Sequence, residues 1–158
     1  MGRAGSLSEA AGDRARFARC AGYGIEPSQV YSRRILGEAE LRERLAARRD
    51  LIAAAESFIG KLYDFVRGSG FFAMLADADG CILLVIGDES ILEVAFSLKM
   101  VPGAFMDEAS IGNNAIGTAI AEGRPLQISG SEHYLEAYHR WTCSGAPIRD
   151  AEGRIVGA

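Results

Sequence analysis

Apolar residues recur with a helical period between residues 38 and 67. Leu45, Ile52, Ile59 and Val66 fall every seven positions; Leu41, Ala55 and Leu62 take a companion row that Arg48 interrupts; Leu51, Phe58 and Phe65 add a third. Three adjacent rows make a stripe wider than a two-stranded coiled-coil seam, so the pattern predicts one long helix from Glu38 to Arg67. Ile52 to Val66 is expected to lie on the protein's own core, whereas Leu41 and Leu45, in the half from Glu38 to Asp50, equally suit a dimer bundle. Upstream, Ser6-Leu7-Ser8-Glu9 is a capping box that predicts a helix from Ser6 to Cys20, ended by Gly22, Gly24 and Pro27 before a linker or arm to residue 37. Downstream, Gly68-Ser69-Gly70 stops the long helix, and two strand-like runs, Phe71 to Ala76 and Cys81 to Ile86, flank Asp77-Ala78-Asp79-Gly80. Gly80 supplies the left-handed residue that a tight hairpin needs. The same turn chemistry recurs at Asp150-Ala151-Glu152-Gly153, between Pro147-Ile148 and Ile155-Val156. Asp88 is expected to cap a helix through Lys99 that buries Ile91, Leu92, Ala95 and Phe96, and residues 100–111 read as a loop carrying Phe105 and Met106.

The stretch from Gly112 to Ile148 alternates short elements. Asn113-Asn114 opens an Ala/Ile helix that Gly123 stops, and Pro125 starts an extended piece. Ser129-Gly130-Ser131-Glu132 is a second capping box, which predicts a short helix through Arg140. Residues from Trp141 to Arg149 then read as a strand. The order of helix, edge strand, helix and core strand leaves a space between helices and sheet. The predicted class is α+β, with a central antiparallel sheet, flanking helices and a long N-terminal helix.

Composition narrows the function. With 158 residues, 49% hydrophobic and 24% charged, the chain is one ordinary globular domain's worth. The net charge of −4 is split: residues 1–49 hold ten Lys/Arg against six Asp/Glu, and residues 50–158 hold seven against fifteen. The front arginines alternate with Glu38, Glu40 and Glu43 as on a solvated helix face, and the acidic remainder argues against direct DNA binding. The longest apolar run, Cys81 to Ile86, is strand-sized, and the start, Met1 to Ser6, lacks the apolar segment of a secretory signal. Cys20, Cys81 and Cys143 are too scattered for a disulfide framework or zinc cage, which points to a reducing cytoplasm. No Gly-rich phosphate loop with Lys-Ser/Thr occurs, so nucleotide hydrolysis is not expected.

Candidate chemistry gathers around the inferred space. Phe105, Met106, Tyr134, Tyr138 and Trp141 are expected to supply apolar contact to a small molecule, and Asn114, Thr118 and His133 polar selection. Cys143 faces core or pocket; nucleophilic work would require a base and a thiolate-stabilising charge that the spacing does not promise. Haem would need His133 as an axial ligand, the one candidate for it; no cofactor is expected.

Several of these segments carry a family resemblance: Gly112 to Ala119, Arg124-Pro125-Leu126-Gln127, Glu132-His133-Tyr134 and Trp141-Thr142-Cys143-Ser144-Gly145-Ala146-Pro147-Ile148, with Val101 to Ala104, Asp77 to Gly80 and Arg19-Cys20 upstream. In that order they resemble the GAF sensory domain (PAS/GAF superfamily) at the N-terminus of sigma-54-dependent activators of the acetoin-catabolism-regulator type, in the Fis family. Met106 and Phe17 stand where that family usually has tryptophan, and Asn113 where it has threonine, so a relative's ligand does not transfer here. The resemblance implies a sensory domain over residues 38–158, preceded by an N-terminal helix and arm over residues 1–37. It further implies a small organic effector, a homodimer through the N-terminal helices, and a following AAA+ ATPase and helix-turn-helix that alone would meet sigma-54 RNA polymerase and DNA. Five residues beyond the last turn are too few to match the strand from Trp141, so the final strand is expected to continue in a longer chain. A ligand-free dimerisation and docking module fits the same residues. A redox enzyme of the GAF methionine sulfoxide reductase type is a third reading; an enzyme is not expected.

Overall fold

The computed structural model describes the backbone of residues 4–158 and side chains from Arg14 onward; the Met1–Gly2 start and the side chains of the Ser6–Glu9 capping box lie outside the described residues. Helix α1 (Ala4–Ala21) is followed by an irregular arm, then α2 (Glu38–Ala47) and α3 (Arg49–Val66). The hairpin β1 (Phe72–Ala76) and β2 (Ile82–Gly87) leads to α4 (Glu89–Ser97), α5 (Glu108–Ile111) and α6 (Ala115–Glu122). The chain then runs through β3 (Leu126–Ser129), two single 3₁₀ turns at Gly130–Glu132 and Glu136–Tyr138, β4 (Thr142–Gly145), β5 (Ile148–Arg149) and β6 (Ile155–Gly157). The class is α+β. No helix among the described residues is long and apolar enough to cross a membrane.

The strands form three antiparallel pairs: β1 with β2, β3 with β4, and β5 with β6. Ala76 and Ala158 exchange both backbone hydrogen bonds, at 2.8 and 3.0 Å, which sets β6 beside β1. The strand expected from Trp141 to Arg149 is interrupted at Ala146-Pro147, since proline has no N–H for a ladder. Both turns form as their residues dictate. Asp77 Oδ1 accepts from the N–H groups of Asp79 and Cys81, each at 3.1 Å, and Gly80 takes φ +80°. Asp150 Oδ1 accepts from the N–H groups of Glu152 and Arg154.

Other expectations are corrected as well. The long helix breaks at Arg48 (φ −109°, ψ 15°). The break lets two arginines one turn apart converge on the fully buried Asp77: Arg44 Nε lies 2.7 Å and Arg48 Nε 3.5 Å from Oδ2. A buried carboxylate needs such partners, and the helix yields to supply them. The Ser129–Glu132 box forms, with Glu132 accepting from Ser129 N–H at 2.6 Å, but extended backbone at His133 and Leu135 divides the expected helix into two turns. Asp88 is the N-cap residue of α4, as expected, but its side chain makes no cap hydrogen bond. Its carboxylate accepts instead from the N–H groups of Gly68 (3.0 Å) and Gly70 (2.8 Å) and from Tyr63 Oη (3.0 Å). Gly68's and Gly70's N–H groups together hold the Asp88 carboxyl below its ordinary pKa. Finally, Phe96 is exposed on α4, whose one fully buried residue is Ala95.

The arm is part of the fold. Tyr134 Oη donates to the Ile25 carbonyl at 2.9 Å, and backbone bonds join Glu136 to Pro27, Leu36 to Gly103 and Phe105 to Arg34. Helix α1 packs Cys20 and Phe17 on the same layer, with the Phe17 ring centroid 5.3 Å from that of Tyr134. Helix α3, expected to be core, has no fully buried residue; Phe58, Leu62 and Phe65 lie exposed at 75%, 48% and 89%.

Candidate functional site

Between α3, β1 and residues of the segment from Met100 to Ile148 lies a hollow of about 730 Å³, within the range of about 300–1,000 Å³ typical of small-molecule sites. Phe72 and Met74 of β1 form one wall, Met100, Met106 and Ile116 another, and Tyr138, Trp141 and Cys143 a third. Among the described residues, no Asp, Glu, Lys or Arg lines it. A smaller cleft of about 380 Å³ near Tyr23 is different in kind, bordered by Arg34, Asp79, Asp107 and Glu108.

Six of the nine residues singled out in the sequence border the hollow: Met106, Asn114, His133, Tyr138, Trp141 and Cys143. The other three lie elsewhere. Phe105 is fully buried beneath the Arg34 guanidinium, 3.5 Å from its ring centroid, because Cys81 and Arg34 hold its backbone on both sides. Tyr134 turns its ring to Phe17 and its hydroxyl to Ile25. Thr118 Oγ1 donates within a closed network, 2.8 Å from both Glu108 Oε1 and Asn113 Oδ1.

That network builds the roof. Glu108, 5% exposed, is gripped by Arg19 of α1 through Nε at 2.6 Å and Nη2 at 2.7 Å. Asn114 caps α6, accepting from Ile116 N–H (3.1 Å) and Gly117 N–H (3.0 Å) while its amide donates to the carbonyls of Met106 (2.7 Å) and Gly112 (2.8 Å). All four of its hydrogen-bonding capacities are spent. Asn114 therefore shapes the site without offering a ligand anything, contrary to its expected role in polar selection. Gly117 permits this closeness: a Cβ there would sit 2.3 Å from the Met106 carbonyl oxygen.

His133 is 1% exposed. Its Nδ1 lies 3.1 Å from the Gly130 carbonyl oxygen, which can only accept, so Nδ1 carries the proton. Burial lowers the imidazole's pKa, leaving it neutral with Nε2 as an acceptor. His139 Nε2, 3.1 Å from the His133 carbonyl, steadies the turn. Tyr138 is 2% exposed, its ring set edge-on to His133 (centroids 6.3 Å) and tilted against Trp141 (5.7 Å). Trp141 in turn packs edge-on against Phe72, ring centroids 5.6 Å apart. Burial raises the Tyr138 pKa, so the phenol stays protonated. The Cys143 thiol is pushed up to about 11 by burial, and Cys20 likewise to about 11, so neither offers the thiolate that redox or nucleophilic chemistry uses.

Phe72 and Met74 were not singled out in the sequence. Their period-two spacing marks one face of β1, but only the third dimension shows that this face meets Trp141. The Arg19–Glu108 grip was beyond reach, as its partners lie 89 positions apart.

Comparison with known proteins agrees with this architecture. The chain is 38% identical over 139 residues to a signal-transduction and transcriptional-control protein of Clostridium beijerinckii, covering 88% of this chain and 22% of that protein. It is 33% identical, again over 139 residues, to the acetoin dehydrogenase operon transcriptional activator AcoR of Bacillus subtilis (88% and 23%). It thus spans about a fifth of these relatives' length. A chain in the crystal structure of the E. coli DhaR(N)–DhaL complex shares the fold, with a TM-score of 0.85 over 92% of this chain and 49% of that one, at 17% identity. Both sequence relatives are named for the control of transcription. Residues 45–158 match the family described as MimR, N-terminal domain, and the chain belongs to that family.

Proposed function

We propose that this chain is the GAF-type sensing domain of a sigma-54-dependent transcriptional regulator, acting in the cytoplasm. A small organic effector binds in the hollow and controls a downstream AAA+ ATPase and helix-turn-helix. The observation that carries this reading is the uncharged apolar hollow, whose aromatic wall of Phe72, Tyr138 and Trp141 suits a compact guest. Family membership and the operon named for the Bacillus relative support it. A ligand shifts a two-state regulator only by its differential affinity, about 5 kcal/mol for a full switch.

The test is ligand retention and response. Native mass spectrometry of gently purified protein should detect a bound small molecule, or a thermal-shift screen of small organic compounds should find one that stabilises the domain. Trp141→Ala should weaken that ligand at least about tenfold and abolish effector-dependent transcription in the full-length regulator, with circular dichroism still showing a folded domain. Unchanged induction would remove the hollow from consideration.

A homodimer through the helices belongs to the same proposal, with the exposed Phe58, Leu62 and Phe65 of α3, rather than Leu41 and Leu45, as its seam. Their i, i+4, i+7 spacing makes one apolar line that a second copy can match. Phe65→Asp should convert dimer to monomer in light scattering while changing monomer stability by less than about 0.5 kcal/mol. The ligand-free docking module is the second reading, favoured by the same stripe; an empty protein that answers no compound would support it.

A further inference from the structure

We infer that the hollow selects a neutral, compact molecule bearing a hydroxyl group, with that O–H donating to His133 Nε2 and the Tyr138 O–H donating to a ligand oxygen. This rests on the reading of the hollow as the effector site, and adds the chemistry of the guest.

The inference follows from the hydroxyl, amide and imidazole groups on the wall, the Trp141 indole N–H and the Cys143 thiol standing beside them as further weak or donor-only groups. Asn114 is fully committed to the helix cap and to two carbonyls. Thr142 Oγ1 pairs with Ser129 Oγ at 2.7 Å, and Ser144 Oγ with Gln127 Nε2 at 3.1 Å. His133 uses Nδ1 on Gly130, whereas its Nε2 meets no hydrogen-bond partner among the described residues, and neither does the Tyr138 hydroxyl. Both residues are almost wholly buried and both border the hollow, yet neither atom is a sealed, unsatisfied polar group. Each therefore faces the cavity space. One is an acceptor with its lone pair outward; the other is a protonated phenol that donates or accepts.

That pair discriminates by chemistry. An alcohol satisfies both groups, donating to Nε2 and accepting from Tyr138. A ketone of the same shape accepts from Tyr138 but leaves Nε2 facing a group without a proton, and a buried acceptor without a donor weakens binding. A carboxylate brings a charge into a wall that, among the described residues, has no cationic side chain, and aims its oxygens at a lone pair. The expected order is alcohol, then ketone at least about tenfold weaker, then carboxylate with no measurable binding.

The experiment uses this domain with cyclohexanol, cyclohexanone and cyclohexanecarboxylate, which share a ring and differ at the polar end. Calorimetry gives the three affinities, and nitrogen NMR follows the His133 Nε2 resonance, which should shift with the alcohol and stay in place with the ketone. Tyr138→Phe should weaken the alcohol about tenfold. His133→Leu should bring alcohol and ketone to parity while both still bind; His133→Asn serves the same purpose should the leucine variant not fold. Equal binding of alcohol and ketone by the unaltered domain, or an unmoved Nε2 resonance, overturns this inference and leaves the effector site standing. Absence of binding by all three, matched by Trp141→Ala having no effect on induction, overturns the site itself.

Discussion

Replacing Arg19 by alanine should lower the domain's unfolding free energy by about 3 kcal/mol, the lower end of the range for removing one partner of a buried ion pair. Glu108 is 5% exposed, and its carboxylate depends on the two Arg19 bonds and the Thr118 hydroxyl. Without the guanidinium, a charge stays inside with one neutral donor. The figure is kept low because the Arg19 side chain is 39% exposed and water can enter where it stood. Urea unfolding should show a lower midpoint with the slope unchanged. Glu108→Gln in the same background should recover part of the loss, because the residual penalty belongs to the charge; a double-mutant cycle measures the coupling. A midpoint shift worth less than about 1 kcal/mol would mean that the pair is solvated and holds nothing.

Acid acts on the adjacent contact in a definite direction. Arg16 pairs with Glu122 through Nε at 2.7 Å and Nη2 at 3.0 Å, and this lowers the Glu122 carboxyl below its ordinary pKa. A lowered native value means that the contribution is complete above the unfolded carboxylate range and is lost as pH falls through the lower native one. The hold of α1 on α6 weakens in that acid window.

Gly117→Ala is the second large effect. The added methyl would lie 2.3 Å from the Met106 carbonyl oxygen and 2.9 Å from both the Asn114 amide nitrogen and the Glu108 backbone nitrogen. The Met106 carbonyl and the Asn114 amide are bonded to each other, so relief requires α6 to move off the Met106 segment. We expect about 3 kcal/mol of destabilisation, at the top of the usual range for overpacking. The roof would be displaced with it, so the ligand identified by the thermal-shift screen should lose affinity in parallel. A variant that melts normally and binds normally would show that the roof yields freely.

Local chemistry made parts of this structure readable from the chain alone. The Asp77–Gly80 and Asp150–Gly153 turns, the α6 cap at Asn114 and the stop at Gly123 each rest on residues within a few positions of one another. Errors arose where a distant group intervened. The break at Arg48 answers Asp77 in the hairpin, the missing Asp88 cap bond answers Gly68 and Gly70, and Phe105 is oriented by Arg34 and Cys81. His133, Tyr138 and Trp141 border the hollow as the order of elements led one to expect, even though the helix expected there is divided, but the sequence did not show which polar atoms remain unused. Asn114 and Thr118 have suitable side chains and are already occupied.

Helix α3 is moored to one hairpin at both ends: through Arg44 and Arg48 to Asp77 just before it, and through Tyr63, Gly68 and Gly70 to Asp88 at its finish. Helix and hairpin thus behave as a single plate, and the clamp formed by Arg19, Glu108 and Asn114 makes the opposite side another. On the proposed reading, a guest between two such plates would work as a spacer: its thickness, rather than any bending of the helix, would set how far they stand apart.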